Sequence, residues 1–214
     1  MTQKFKMGSA TFVAVGLLAA GMMLNSQPSR AAAPEDNIDE SKVQQGFKIA
    51  PVQLNLKGKN RALVGLGSYL VNAVGGCNDC HTWRKTGNNA PSNYEDGGDP
   101  FQGQAEQIYT EGYLGGGRDF GPVLRSRNIT PDSTGKVAGG FSQFKEILRS
   151  GTDFDHYLTG VPLLQVMPWP VYGKMTDNDI KAIYEYLTAV PCVEGEPGEH
   201  KGNPEGTGLP SRCK

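Results

Sequence analysis

The sequence predicts an all-α domain in which short helices are joined by long loops. Three observations predict it. Apolar residues recur at helical spacing in three separate stretches, around Leu63, Phe144 and Ile180. A strong helix-start signal stands at Thr176. The 29 Gly and 14 Pro in 214 residues load the chain with turn formers, which argues against a bundle of long helices. At this length the chain holds one domain with extensions, or at most two small ones.

The N-terminus has the secretory layout. Lys4 and Lys6 precede an apolar run from Ala10 to Leu24, and small residues follow at Ser29, Ala31, Ala32 and Ala33, so residues 1–33 are assigned as a signal peptide. The run's 15 residues, diluted by Gly16 and Gly21, fall short of the roughly 20 that span a bilayer. No later run approaches that length, and no integral span is expected in the mature chain. The mature protein is expected to be exported to the periplasm, where cysteines can be oxidised. Losing Lys4, Lys6 and Arg30 leaves 18 basic against 22 acidic residues. Such a balance argues against nucleic acid or an anionic membrane surface as partner.

Residues 34–57 are polar and show no sustained period, and they are expected to form an extension lying along the domain. The domain is placed at 58–191. Leu63, Leu66, Leu70, Ala73 and Val74 make one apolar face of its first helix, which Gly75 and Gly76 stop. Residues 82–140 are dominated by Gly, Asn, Asp, Pro and Ser, and so long an aperiodic stretch is either disordered or wrapped around something. A second helix reads as "SQFKEILRS", with Phe144, Ile147 and Leu148 on one face and Gly151 as its stop. The last helix starts at an N-cap Thr176, with Asp179 completing a capping-box variant and Asp177 suiting the positive end of the dipole. Ile180, Ile183, Tyr184 and Leu187 form its apolar face, and Pro191 follows its end. Residues 192–214 read as a Gly/Pro-rich tail.

Cys77, Cys80 and His81 form Cys-x-x-Cys-His, the attachment signature of c-type haem. Two thiols at i and i+3 on a tight turn add across two vinyl groups on one edge of the macrocycle, and the adjacent imidazole reaches the iron. Other chemistries use Cys-x-x-Cys. A redox dithiol sits at a helix N-terminus after a strand, whereas this motif follows a helix and two glycines. A zinc site uses four ligands in two close pairs, whereas Cys192 and Cys213 stand far off with twenty residues between them. A chance juxtaposition is the third alternative.

An electron-carrying haem takes a second axial ligand, and a methionine thioether is the usual one that raises the potential. Beyond the signal only Met167 and Met175 remain. Met175 has a structural use, stapling against Ile180 across the N-cap. Met167 lies in "LLQVMPWPVY", where two prolines stiffen the loop, and is the distal candidate. His156, in a polar loop, and His200, in the tail, are weaker alternatives.

This order, with Met167 ahead of a capped terminal helix, resembles a class I monohaem cytochrome c over roughly Asn60 to Pro191. In that family the first and last helices cross where a small residue meets an aromatic, and the resemblance places Gly67 and Tyr186 there. "RNITPD", "QFKEILRSG" and "MPWPVYGKMTDNDIKAIYEYL" resemble the haem domains of cytochrome subunits of membrane-bound alcohol, aldehyde and gluconate dehydrogenases. Those subunits carry three such domains, and this chain has one Cys-x-x-Cys-His.

The resemblance implies a class I cytochrome c fold with long loops around one covalent haem c. It implies single-electron transfer rather than catalysis, and a redox partner protein: a dehydrogenase, an oxidase or a reductase. The rival is a haem enzyme or sensor, a peroxidase or small-gas binder, with an open or displaceable distal position. The resemblance also implies that the ligating imidazole donates its other N–H to a backbone carbonyl, with Pro122 at the matching position and Pro91 second. It offers Asn128, Arg149, Trp169 and Tyr172 as donors to buried propionates, or else as packing and turn residues. Asn128-Ile129-Thr130 also spells a glycosylation acceptor, a weak pattern that the family motif explains better. Cys192 and Cys213 are left over, and in an exported protein they are candidates to pair and tie the tail back.

Overall fold

The structure is a computed structural model that describes residues 39–82, 84–85, 91–121, 124–154, 162–194 and 212–214. The signal peptide, Pro122, His156 and His200 lie outside the described residues. Among the described residues there are six α-helices: α1 (Glu40–Ile49), α2 (Arg61–Tyr69), α3 (Cys77–His81), α4 (Phe141–Ser150), α5 (Trp169–Tyr172) and α6 (Asp177–Leu187). The long loops hold two antiparallel ladders of two residues per strand, β1 (Arg84–Lys85) with β2 (Pro91–Ser92) and β3 (Asp119–Phe120) with β4 (Leu124–Arg125). The fold is thus mainly helical, as expected, with these ladders added. A loop pressed onto a core must still satisfy its backbone groups, and short ladders do so.

Helix α1 falls in the segment expected to be an aperiodic extension. Asp39 caps it, accepting from the Ser41 N–H at 2.9 Å. It buries only Val43 and Gly46, too few apolar positions to register as a period. Its seat is backbone on backbone: a Cβ on Gly46 would stand 1.8 Å from the Gly65 carbonyl oxygen, and the Ser68 hydroxyl donates to the Gly46 carbonyl at 2.7 Å. Past α1, Val52 and Leu54 pack against the core and the Asn55 N–H donates to Ala189 O at 2.8 Å.

Asn60 caps α2, and every residue from Leu63 to Ser68 is buried because α1 covers one side and α6 the other. The expected single face fails at its end, where Ala73 and Val74 are exposed and Val71 is fully buried instead. The cause is a π-helical turn at Leu70–Val74, whose extra residue per turn rotates the buried stripe. Gly75 closes that turn and Gly76, at φ +56°, leads into α3.

Helix α4 ends at Gly151 in the left-handed region, as its sequence predicts. Helix α6 has the full capping box, with Thr176 Oγ1 accepting from the Asp179 N–H and the Asp179 carboxylate accepting from the Thr176 N–H. It crosses α2 at Gly67, where a Cβ would lie 1.9 Å from Ala182 O and 2.7 Å from the Tyr186 Cβ. The core gathers around this crossing: Val64, Tyr113, Leu114, Val137, Phe144, Ile180 and Tyr186 are among its buried members. At the C-terminus Cys192 and Cys213 form a disulfide with their Cα atoms 5.7 Å apart. Among the described residues no helix is long and apolar enough to cross a membrane.

Candidate functional site

Cys77, Cys80 and His81 occupy the single turn of α3, which α2 and its π-helical extension deliver. The two thiols are free, while the chain's other two cysteines are paired with each other and so cannot complete a four-thiol zinc site. Burial pushes the Cys77 thiol up to about 12, with the neighbouring Cys80 adding to the effect. Cys80 is raised as well, chiefly by desolvation, although Arg118 pulls the other way. A redox dithiol needs the opposite, a depressed thiolate.

The His81 Nδ1 lies 2.7 Å from the carbonyl oxygen of Arg127. A carbonyl only accepts, so Nδ1 carries the proton and Nε2 is left with the lone pair that a metal uses. Burial holds the imidazole below its usual pKa, against the opposing pull of the Arg127 carbonyl, and this keeps the ring neutral. The acceptor expected from the sequence was Pro122 or Pro91; the structure places Arg127 there. Gly116 allows it. The segment 114–117 runs between His81 and 127–128, with the Gly116 N–H donating to His81 O at 2.6 Å. A Cβ on Gly116, at φ +79°, would stand 2.5 Å from the Arg127 carbonyl carbon. The run "LGGGR" was the available signal, but a glycine run does not name the strand that it lets in.

Met167 is half-buried and packs against the same core cluster as Cys77. Its loop is fixed from both ends. The Trp169 indole N–H donates to Leu164 O at 3.2 Å, and the ring fills the space over Gly151, where a Cβ would come within 2.3 Å of it. Tyr172 donates to Gly75 O at 2.8 Å, tying α5 to the turn just ahead of Cys77. Arg149 donates to Gly173 O at 2.5 Å and Met175 O at 2.6 Å, and pairs with Asp177. Asn128 donates to Val193 O at 2.8 Å. All four residues offered as propionate donors thus give hydrogen bonds to protein acceptors, and three of them fix the Met167 loop internally, to α4 and to the turn ahead of α3.

Apolar side chains stand out along this loop: Val166 is 46% exposed, Val171 64%, and Val74, adjacent to the Tyr172 anchor at Gly75, 57%. Two thiols at i and i+3 whose pKa values are raised, an imidazole with Nε2 free and a half-buried thioether fit a haem.

Comparison with known proteins agrees. The chain is 31% identical over 129 residues to the gluconate 2-dehydrogenase cytochrome c subunit of Pantoea cypripedii, covering 60% of this chain and 23% of that protein. It is 30% identical over 129 residues to the cytochrome c subunit of the quinone-dependent alcohol dehydrogenase of Gluconacetobacter polyoxogenes, covering 59% and 21%. To the fructose dehydrogenase cytochrome subunit of Gluconobacter japonicus it is 27% identical over 141 residues, covering 65% and 24%. The chain therefore spans less than a quarter of the length of these relatives. No family model and no solved structure matches it. Over about three-fifths of its length the chain resembles the cytochrome c subunits of gluconate, alcohol and fructose dehydrogenases.

Proposed function

We propose that the protein is a c-type cytochrome that carries single electrons, with one haem held covalently by Cys77 and Cys80. His81 is its proximal ligand and Met167 its distal one. The group supplies one-electron redox chemistry at iron; the chain supplies everything that tunes it. The observation that carries this reading is the state of His81: half-buried and locked by Arg127 into the tautomer that presents Nε2, with its pKa lowered by desolvation. The raised thiols suit permanent capping as thioethers better than thiolate exchange.

The remaining roles follow from the contacts described. Trp169, Tyr172 and Arg149 hold the Met167 loop against α4 and the turn ahead of α3. Arg127 and its neighbours hold the imidazole. A loop anchored at both ends keeps a weak, soft ligand in place through oxidation and reduction, so little reorganises when an electron moves. The disulfide suits an exported, periplasmic protein. Similarity to dehydrogenase cytochrome subunits supports a dehydrogenase as electron donor, with the chain acting as its accepting subunit or as a shuttle.

The test is the visible spectrum of the purified holoprotein in both oxidation states, with and without added carbon monoxide. The proposal predicts six-coordinate, low-spin iron in both states and no rapid change with the gas. High-spin iron, or prompt binding of carbon monoxide to the reduced protein, indicates the peroxidase or gas-binder alternative and contradicts it.

A further inference from the structure

Asn128 lies next in sequence to the carbonyl that orients His81, and it is the hub of a clasp that reaches the C-terminus. Its Oδ1 accepts from both the Thr130 N–H at 2.9 Å and the Thr130 hydroxyl at 2.6 Å, closing a tight turn. Its Nδ2 donates to Val193 O at 2.8 Å, and the Val193 N–H donates back to Thr130 Oγ1 at 3.1 Å. Thr130 is fully buried. Val193 is the residue after Cys192, whose disulfide to Cys213 brings the chain's end back. There Arg212 donates to Thr130 O at 2.6 Å, and Ser133 N–H donates to Arg212 O at 2.7 Å. On the opposite side the fit leaves no slack. A Cβ on Gly116 would stand 2.6 Å from the Asn128 nitrogen, and one on Gly115 2.7 Å from the Val193 side chain.

We infer that Asn128 and Thr130, backed by the Cys192–Cys213 clasp, are positioning residues for the proximal imidazole. They fix where the Arg127 carbonyl sits, and through it how strongly the His81 Nδ1–H is polarised. The inference rests on the haem reading above. A carbonyl held in line with Nδ1–H makes the imidazole a stronger donor and favours the oxidised iron. A carbonyl that drifts weakens the donor, and the reduction potential rises. This assigns the clasp a redox function beyond tying down a tail.

The experiment uses the full-length holoprotein and the variants Asn128→Ala, Thr130→Val and Asn128→Ser. Two readouts are taken: the reduction potential, which stability alone does not move, and the exchange in D2O of the paramagnetically shifted His81 Nδ1 proton, read relative to core amides that report global opening. Asn128→Ala and Thr130→Val are expected to raise the potential. Both should also speed the exchange about fivefold, the factor that corresponds to losing one ordinary hydrogen bond. Asn128→Ser, whose hydroxyl can accept from the Thr130 N–H without adding charge, is expected to restore most of both. If Asn128→Ala yields no holoprotein, Thr130→Val is judged alone by the same criteria. The inference is overturned if potential and exchange keep wild-type values while only the melting temperature falls, or if Asn128→Ser behaves like Asn128→Ala. Absence of covalent haem from the unsubstituted protein overturns the parent reading, and the two failures are told apart by that control.

Discussion

Gly67→Val is expected to cost about 4 kcal/mol or more of stability, enough to prevent folding of a marginal domain. Ordinary overpacking costs about 1–3 kcal/mol because neighbouring side chains change rotamer. Here there is no rotamer to change. The nearest atoms to a Cβ at 67 are the Ala182 carbonyl oxygen and carbon, at 1.9 and 2.6 Å, so α6 itself would have to move off α2. That displacement would open the crossing around which Ile180, Tyr186 and Val64 are fully buried. Because α2 continues into the π-helical turn and α3, it would also shift the Cys-x-x-Cys-His turn. Denaturant melts of the purified protein check the magnitude, with Gln45→Ala on the exposed face of α1 as a control expected within about 0.5 kcal/mol of wild type.

The second large effect concerns the cofactor. Cys77→Ser combined with Cys80→Ser is expected to abolish haem retention after denaturation, while each single variant retains it through one thioether. Intact-mass measurement on the unfolded chain reads this directly. Retention by the double variant would show that attachment lies elsewhere. Losing the group is expected to destabilise the fold too, because its axial ligation and its burial against the chain would be made only in the native state.

How much of this was legible depended on how local the cause was. Helix α6 could be read to the residue because its start is a self-contained device, Thr176 and Asp179 bonding each other across three positions. The stop of α4 at Gly151 is likewise local. Helix α1 could not be read, because its seat is the close approach of Gly46 to Gly65, and glycine carries no hydrophobic signal. The inward turn of Val71 in place of Ala73 and Val74 comes from one π-helical turn, which a periodicity of 3.6 cannot anticipate.

The site divides the same way. Cys77, Cys80 and His81 fall within five positions, and their chemistry is written in their spacing. The acceptor for His81 lies 46 residues away, and choosing Arg127 over Pro122 required knowing that Gly116 admits the 127–128 backbone. The resemblance offered Asn128, Arg149, Trp169 and Tyr172 as donors to buried propionates, or else as packing and turn residues. What each donor meets is a tertiary matter, and each meets a protein carbonyl. The pairing of Cys192 with Cys213 followed from compartment chemistry. Its link to His81 through Val193, Thr130 and Asn128 did not.

The central claim is that Met167 completes the axial pair with His81, and Met167→Ala tests it most directly. The comparison is between wild-type and variant holoprotein, by visible spectrum and reduction potential. The account predicts a low-spin wild type, a variant that becomes high-spin or takes up an external ligand, and a fall in potential as the thioether is lost. A wild type that is already high-spin, or a variant whose spectrum and potential match those of the wild type, would contradict it.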